Sequence, residues 1–398
     1  MAIRTLDDLA AANRAIGVRV DINSPLTAAG GLADDARLRA HVDTLAELLA
    51  ADARVAVLAH QGRPGGDEFA RLERHADRLD ALLDAPVSYC DATFSTGARD
   101  AVADLAPGEA VVLENTRFYS EEYMTFAPER AADTALVDGL APALDAYVND
   151  AFAAAHRSQP SLVGFPEVLP SYAGRVMEAE LDALSGVADT PTPRTYVVGG
   201  AKVPDSVEVA AHALSHGLAD NVLVTGVVAN VFLAATGVDL GRASTDFIHE
   251  RDYGTEIARA ADLLAAHNDA LHLPVDVAVE RDGARCELST DALPPAGDEA
   301  VCDIGSDTVD AYADVLADSE TVVVNGPAGV FEDDLFADGT RGVFGAASEV
   351  EHSIVGGGDT AAAIRRFDIT GFDHVSTGGG AAINLLTDAD LPAVAALR

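Results

Sequence analysis

A single lysine, Lys202, stands beside 25 arginines in this chain of 398 residues. It closes the run Val198-Gly199-Gly200-Ala201-Lys202, where an apolar stretch breaks into glycine. An ammonium is a compact charge on a flexible stem, and a guanidinium does not imitate it in a tight site. The lysine is therefore either a chance survivor on a surface turn or a charge that a site requires. Its surroundings bear on the choice. Thr225-Gly226, Asn325-Gly326-Pro327, Gly356-Gly357-Gly358-Asp359-Thr360 and Gly378-Gly379-Gly380 all follow short apolar runs in the same half of the chain. Glycines ahead of a helix let backbone N–H groups approach phosphate oxygens, aided by the positive helix end. Asp359 either ligates Mg²⁺ bridging those phosphates or caps the helix that follows.

The first half offers different chemistry. Its apolar runs end in Asp21-Ile22-Asn23, His60-Gln61-Gly62-Arg63, Glu114-Asn115-Thr116-Arg117 and Asn149-Asp150, with His156-Arg157 shortly after and Arg37 behind the first run. Any one of these arginines could pair with a neighbouring acid. Four of them with two histidines on one sheet edge form a cationic basin suited to phosphate or carboxylate through bidentate contacts. An anion cup in one half and a glycine-lined cradle in the other suit phosphoryl transfer between a small acid and a nucleotide. Such chemistry is mainly positioning and charge stabilisation. A carboxylate acceptor needs no general base, and exclusion of water calls for domain closure.

These residues need a scaffold that brings strand ends together. Runs such as Val55-Ala56-Val57-Leu58, Val111-Val112-Leu113, Tyr196-Val197-Val198, Val222-Leu223-Val224 and Thr321-Val322-Val323-Val324 alternate with Ala/Leu/Asp/Glu/Arg-rich helical segments. That alternation predicts an α/β protein with parallel sheets covered on both faces. About ten units predict two doubly wound, Rossmann-like domains, with ligands beyond the carboxyl ends of the strands. The break falls between 165 and 195. A helix over 172–187, with Met177, Leu181 and Leu184 at helical spacing, serves as interdomain helix and hinge. The domains expected are 1–171 and 172–387.

Composition narrows the function. The formal net charge is -39, spread along the whole length, with 49% hydrophobic residues. The apolar share supports a large core rather than disorder. Abundant acids and one lysine point to a salt-rich cytosol, where a Debye length of about 3 Å at molar salt mutes self-repulsion. Nucleic acid and anionic membranes are excluded as partners. Cys90, Cys286 and Cys302 are few, odd in number and without metal-ligand spacing. Met1 to Ala10 holds no apolar stretch for a signal peptide, and the longest apolar region, Val222 to Val238, is too short to span a bilayer. A cytoplasmic location is expected. No G-x-x-x-x-G-K-[ST], G-x-S-x-G, H-E-x-x-H or G-x-G-x-x-G pattern occurs.

Ten ordered segments resemble the phosphoglycerate kinase family. They begin with Val20-Asp21-Ile22-Asn23-Ser24-Pro25, Ala59-His60-Gln61-Gly62-Arg63-Pro64 and Leu113-Glu114-Asn115-Thr116-Arg117-Phe118, and include Gly199-Gly200-Ala201-Lys202-Val203 and Asn325-Gly326-Pro327-Ala328-Gly329-Val330-Phe331-Glu332. The resemblance covers essentially the whole chain and points to an archaeal, halophilic member. It implies transfer between 1,3-bisphosphoglycerate and ADP, giving 3-phosphoglycerate and ATP with Mg²⁺, by a monomer. It implies triose binding by Asp21, Asn23, Arg37, His60, Gln61, Gly62, Arg63, Arg117 and Arg157 in domain 1–171. It also implies nucleotide binding by Gly200, Ala201, Lys202, Gly226, Asn325, Pro327, Glu332, Gly357, Gly358, Asp359 and Thr360 in domain 172–387. Arg37, Lys202, Gly357 and Gly358 become the catalytic set, Glu332 the ribose holder and Asp359 the Mg²⁺ ligand. Residues 388–398 are expected back on the first domain. Many relatives carry a second lysine where Ser206 stands, and Gly226-Val227-Val228-Ala229 departs from the usual glycine-rich version. A two-domain dehydrogenase and a non-catalytic two-lobed anion receptor are the rival readings.

Overall fold

The computed structural model describes residues 3–398, so the first two residues of the expected 1–171 domain lie outside it. It divides into two compact units: the chain up to Asp182 together with Asp390–Arg398, and Ala183–Ala389.

The first unit holds a six-stranded parallel sheet of β1 (Ala15–Arg19), β2 (Arg54–Leu58), β3 (Val87–Cys90), β4 (Ala110–Leu113), β5 (Ala146–Asn149) and β6 (Ser171–Ala173), in the order β3-β4-β2-β1-β5-β6. Alternate residues of each strand face opposite layers. Ile16, Val18, Val55, Val57, Val112 and Val148 pack into one core, while Ala15, Ala56, Leu58, Val111, Leu113 and Tyr147 pack into the other. Strands buried on both faces require continuous apolar runs, which is why these segments lack a polar alternation. The connections reverse between β1 and β5, so the chain diverges at their carboxyl ends and leaves a crevice there.

The second unit repeats the plan with β7 (Arg194–Val198), β8 (Asn221–Val224), β9 (Leu271–His272), β13 (Thr321–Asn325), β14 (His352–Gly356) and β15 (His374–Val375) in the order β15-β14-β13-β7-β8-β9. Its reversal lies between β7 and β13. Beside this sheet, β10 (Asp276–Arg281), β11 (Ala284–Ser289) and β12 (Asp303–Ile304) form a small antiparallel sheet absent from the expected strands.

The helix expected over 172–187 is shorter. Ser171–Ala173 is a strand registered on Tyr147–Asn149, and the helix runs Arg175–Ser185 before a 3₁₀ turn at Gly186–Asp189. The cause lies at Gly174, where a Cβ would stand 2.2 Å from Asp150 Oδ1. The bare backbone admits that carboxylate to the first turn of the helix and so fixes where the helix begins. The division between the units falls inside this helix. Residues Asp390–Arg398 belong to the first unit, where the Ala393 N–H donates to the Ala155 carbonyl at 3.1 Å. Among the described residues, no helix is long and apolar enough to cross a membrane.

Candidate active site

In the first unit the reversal between β1 and β5 gathers the charged strand ends. Arg19, the last residue of β1, is fully buried. Its Nε donates to Ser161 Oγ at 3.0 Å, Nη1 to the Val20 carbonyl, and Nη2 lies 2.9 Å from His60 Nδ1. A guanidinium only donates, so Nδ1 accepts and the His60 proton sits on Nε2. Burial first, then Arg19, Arg117 and Arg157, hold the imidazole well below the usual histidine range, against an opposing pull from Asp21. His60 is thus a neutral ring offering an Nε2–H donor.

Asp21 lies two residues beyond β1. Burial alone would raise its carboxyl, but Arg37, then His60, Arg19 and the Asn23 amide, bring it down to about 2. Its Oδ2 accepts from Arg37 Nη1 at 2.5 Å, and Oδ1 accepts from the Asn23 N–H at 3.2 Å. Asn23 Oδ1 in turn accepts from the Gly62 N–H at 2.7 Å, and the Gly62 carbonyl accepts from Arg117 Nη1 at 2.7 Å. Gly62 has φ +67 and a Cβ there would stand 2.3 Å from the Glu68 carbonyl, so only glycine fits. The Gln61 side chain is spent on the loops around it. It bonds the Ser24 N–H and carbonyl, the Glu68 carbonyl and His75 Nε2 at 2.8–3.2 Å. It braces the edge more than it offers a contact.

The arginines crowd one another. Burial together with Arg157, Arg19 and Arg63 lowers Arg117 to about 10, and burial, Arg19, Arg63 and Arg37 lower Arg157, with Asp21 opposing. Like charges held this close lower one another's affinity for protons and raise it for an anion. Among the described residues, seven buried side-chain polar atoms lack a partner. Five of them lie along this edge, on Ser24, Thr116, Arg117, Asn149 and His156. Unsatisfied buried groups on this scale call for an explanation, and a polar ligand supplies one.

In the second unit the glycine turns interlock. The Gly199 N–H donates to the Asn325 carbonyl, Gly200 to Pro327 and Gly226 to Ala328, each at 2.8 Å. Gly326 N–H donates to Thr360 Oγ1 at 2.8 Å, so this buried hydroxyl ties β13 to the helix Gly358–Phe367. A Cβ on Gly326, where φ is +96, would lie 2.2 Å from the Gly199 carbonyl oxygen. Lys202 precedes the helix Val203–Ser215, and Gly357, with φ +97, is the N-cap of Gly358–Phe367. The two turns and the start of the helix Gly379–Leu386 line one cavity with Ser206 and Asp205. Three helix N-termini, whose first N–H groups lack intrahelical acceptors, thus border one cavity. Asp359 is not the helix cap. It sits in the first turn with its Oδ2 3.2 Å from Lys202 Nζ, the two side chains 67% and 65% exposed. Ser206, at the position where the resemblance implies a second lysine, donates to the Gly199 carbonyl at 3.0 Å and holds the turn. An adjoining, more apolar cavity is lined by Ala201, Gly226, Pro327 and Glu332 together with Pro274 and Cys302.

A model of the phosphoglycerate kinase family matches residues 6–389. The chain is 61% identical over 398 residues to a phosphoglycerate kinase of Natronomonas pharaonis, all of both chains being covered. It is 46% identical to one of Methanothermobacter thermautotrophicus, over 99% of this chain and 96% of the other. Its fold matches the crystal structure of phosphoglycerate kinase from Pyrococcus horikoshii with a TM-score of 0.94 at 38% identity, covering 99% and 98% of the two chains.

The chain belongs to the phosphoglycerate kinase family.

Membership makes it a kinase of glycolysis, a phosphotransferase with a carboxyl group as acceptor. The dehydrogenase and the non-catalytic receptor are set aside. Two participants escaped the sequence reading, Arg19 and His41. Each looks like one more polar residue beside an apolar run, and their partners Ser161 and Asp150 lie 142 and 109 positions away. Only the fold joins them. Gly379 and Gly380, outside the expected nucleotide set, line the same cavity as Lys202 and Asp359.

Proposed function

We propose that this chain reversibly transfers the phosphoryl group of 1,3-bisphosphoglycerate to ADP, with the triose held by the first unit and the nucleotide by the second. The observation that carries this is the arginine and histidine basin at the edge of the first sheet, with its unpartnered buried donors. Arg63, Arg117 and Arg157 take the triose phosphate and carboxylate, and the neutral His60 donates through Nε2. Asp21 and Asn23 hold the sugar-like hydroxyl and the loop around Gly62. Arg37 follows the migrating phosphoryl group and offsets its charge. Lys202 meets the same group from the nucleotide side, while backbone N–H groups at Gly357 and Gly358 receive its oxygens.

Glu332 holds the ribose, with Gly200, Ala201, Gly226, Asn325, Pro327 and Thr360 shaping the cradle. Among the described residues no three or more of His, Cys, Asp and Glu gather as a metal site. One carboxylate suffices for Mg²⁺ that arrives with phosphates and keeps its waters, so Asp359 fits that role. The ion, when bound, neutralises charge on the nucleotide phosphates. The lack of a second lysine at Ser206 leaves Lys202 the single side-chain ammonium. Because water must be excluded, domain closure belongs to the proposal, as do a monomer, a cytoplasmic location and a salt-rich working medium.

The test is ATP formation from ADP and 1,3-bisphosphoglycerate with Mg²⁺ in molar KCl. Folded protein that forms no ATP overturns the reading.

A further inference from the structure

A buried chain of polar contacts runs behind the basin and reaches it through the Asp21 main chain. At its centre is His41, 4% exposed, at the junction of the helices Ala36–Ala40 and Val42–Ala50. The Asp21 N–H points at His41 Nε2 from 3.0 Å, and the Asp21 carbonyl oxygen lies 3.2 Å from the same nitrogen. A buried N–H needs an acceptor, so Nε2 carries the lone pair and the proton sits on Nδ1. Nδ1 then donates to Asp150 Oδ2 at 2.7 Å. This is the opposite tautomer to that of His60.

Asp150 is fully buried, and its other oxygen accepts from the N–H groups of Val176 at 2.9 Å and Met177 at 3.4 Å. Those donors are in the first turn of the helix Arg175–Ser185, where no intrahelical acceptor exists. At the far end, the Asp21 peptide carries the carboxylate that pairs with Arg37 and the loop that orders Asn23 and Gly62. Arg37 itself lies one helical turn before His41. Both partners of the Arg37–Asp21 pair therefore hang from the His41 position, one through a helix and one through a hydrogen bond.

We propose that His41 and Asp150 are positioning residues for the triose site. The ring clamps the Asp21 main chain to the start of the helix Arg175–Ser185, and so sets where the Asp21 carboxylate and Arg37 stand. The proposal rests on the reading of that edge as the triose site. Without the clamp the Asp21 N–H is left buried and unpaired, and the peptide shifts away from its place.

Wild-type turnover with 3-phosphoglycerate and ATP is measured first, then His41→Ala and His41→Gln. A glutamine amide presents an N–H and a carbonyl oxygen at nearly the spacing of the two ring nitrogens. The expected result for H41A is a KM for 3-phosphoglycerate raised about tenfold, the size of one lost buried hydrogen bond. The KM for MgATP stays unchanged, and H41Q returns the triose KM to near the wild-type value. Nitrogen-15 NMR of the wild-type protein should find the His41 proton on Nδ1. An unchanged triose KM in H41A, equal changes in both KM values, or a proton on Nε2 overturns the clamp. If H41A does not fold, H41Q decides: a triose KM near wild type supports the proposal and a strongly raised one rejects it. A wild type without turnover overturns the proposed function instead, and the clamp then stands or falls on the tautomer.

Discussion

Lys202 and Asp359 meet at 3.2 Å with both side chains mostly in solvent. Exposed pairs of this kind contribute little to stability. Replacing the lysine should therefore cost turnover and leave folding alone. For Lys202→Arg we expect a fall in kcat of roughly a hundredfold, the low end of the range seen when one charge-stabilising donor is displaced. The melting temperature should stay unchanged, and near-normal kcat would make the ammonium dispensable. For Arg37→Ala we expect a loss of roughly a hundredfold or more in kcat, with a smaller change in the KM for 3-phosphoglycerate. Equal losses in both would assign Arg37 to binding alone. His60 gives a prediction in pH. Its folded pKa is depressed by burial, Arg19, Arg117 and Arg157. As pH falls below about 6.5, the unfolded chain takes up a proton that the folded ring refuses, so stability at this position is lost on acidification. Arg19→Met should raise the His60 midpoint in an NMR titration, and a midpoint that stays put would remove Arg19 from that role.

Among the elements, the junction of β7 and β13 leaves no room for a side chain. Gly199 and Gly326 pass so closely that any side chain on Gly326 strikes the Gly199 carbonyl. Gly326→Ala should destabilise the second unit by about 1–3 kcal/mol and raise the KM for MgATP, measured by denaturant titration and steady-state kinetics. A fully stable variant would contradict the close approach. This junction was legible in the sequence because apolar runs ending in glycine announce both the strand and the turn. Most strands of the two parallel sheets were legible as short apolar runs, ending in glycine in the second unit and in charged or amide residues in the first, whereas β3 and β15 were not. The β10–β11 hairpin was not recognised, although Asp282-Gly283 between two short alternating runs is a hairpin signal. Three-residue β6 carries no run long enough to read. Its end, and the start of the helix after it, are set where Asp150 reaches past Gly174, a contact made by the fold. At the site, the residues that face a ligand were readable from charge and glycine at strand ends, whereas their braces, Arg19, His41 and His75, depended on distant partners.

For the molecule as a whole, charge is the dominant fact. A net -39 over 398 residues opposes compaction through self-repulsion unless salt screens it. The melting temperature should rise by roughly 3–5 degrees between dilute buffer and molar KCl, as a gain of about 3–4 kcal/mol would give in a chain of this size. Scanning calorimetry at several KCl concentrations checks this, and a flat or falling response would contradict a salt-rich working medium. The same screening weakens attraction between substrate anions and the arginine basin, so contact geometry must supply affinity that long-range steering cannot.

The segment Asp390–Arg398 belongs to the first unit although the chain builds the whole second unit before reaching it. A ribosome making this protein thus delivers the last piece of the first unit some two hundred residues after the rest. Domains emerging from synthesis usually fold in order, each when its residues are out. Here the first to emerge is the last to be finished, and during that interval the face around Ala155 stays open to whatever the cell brings near it.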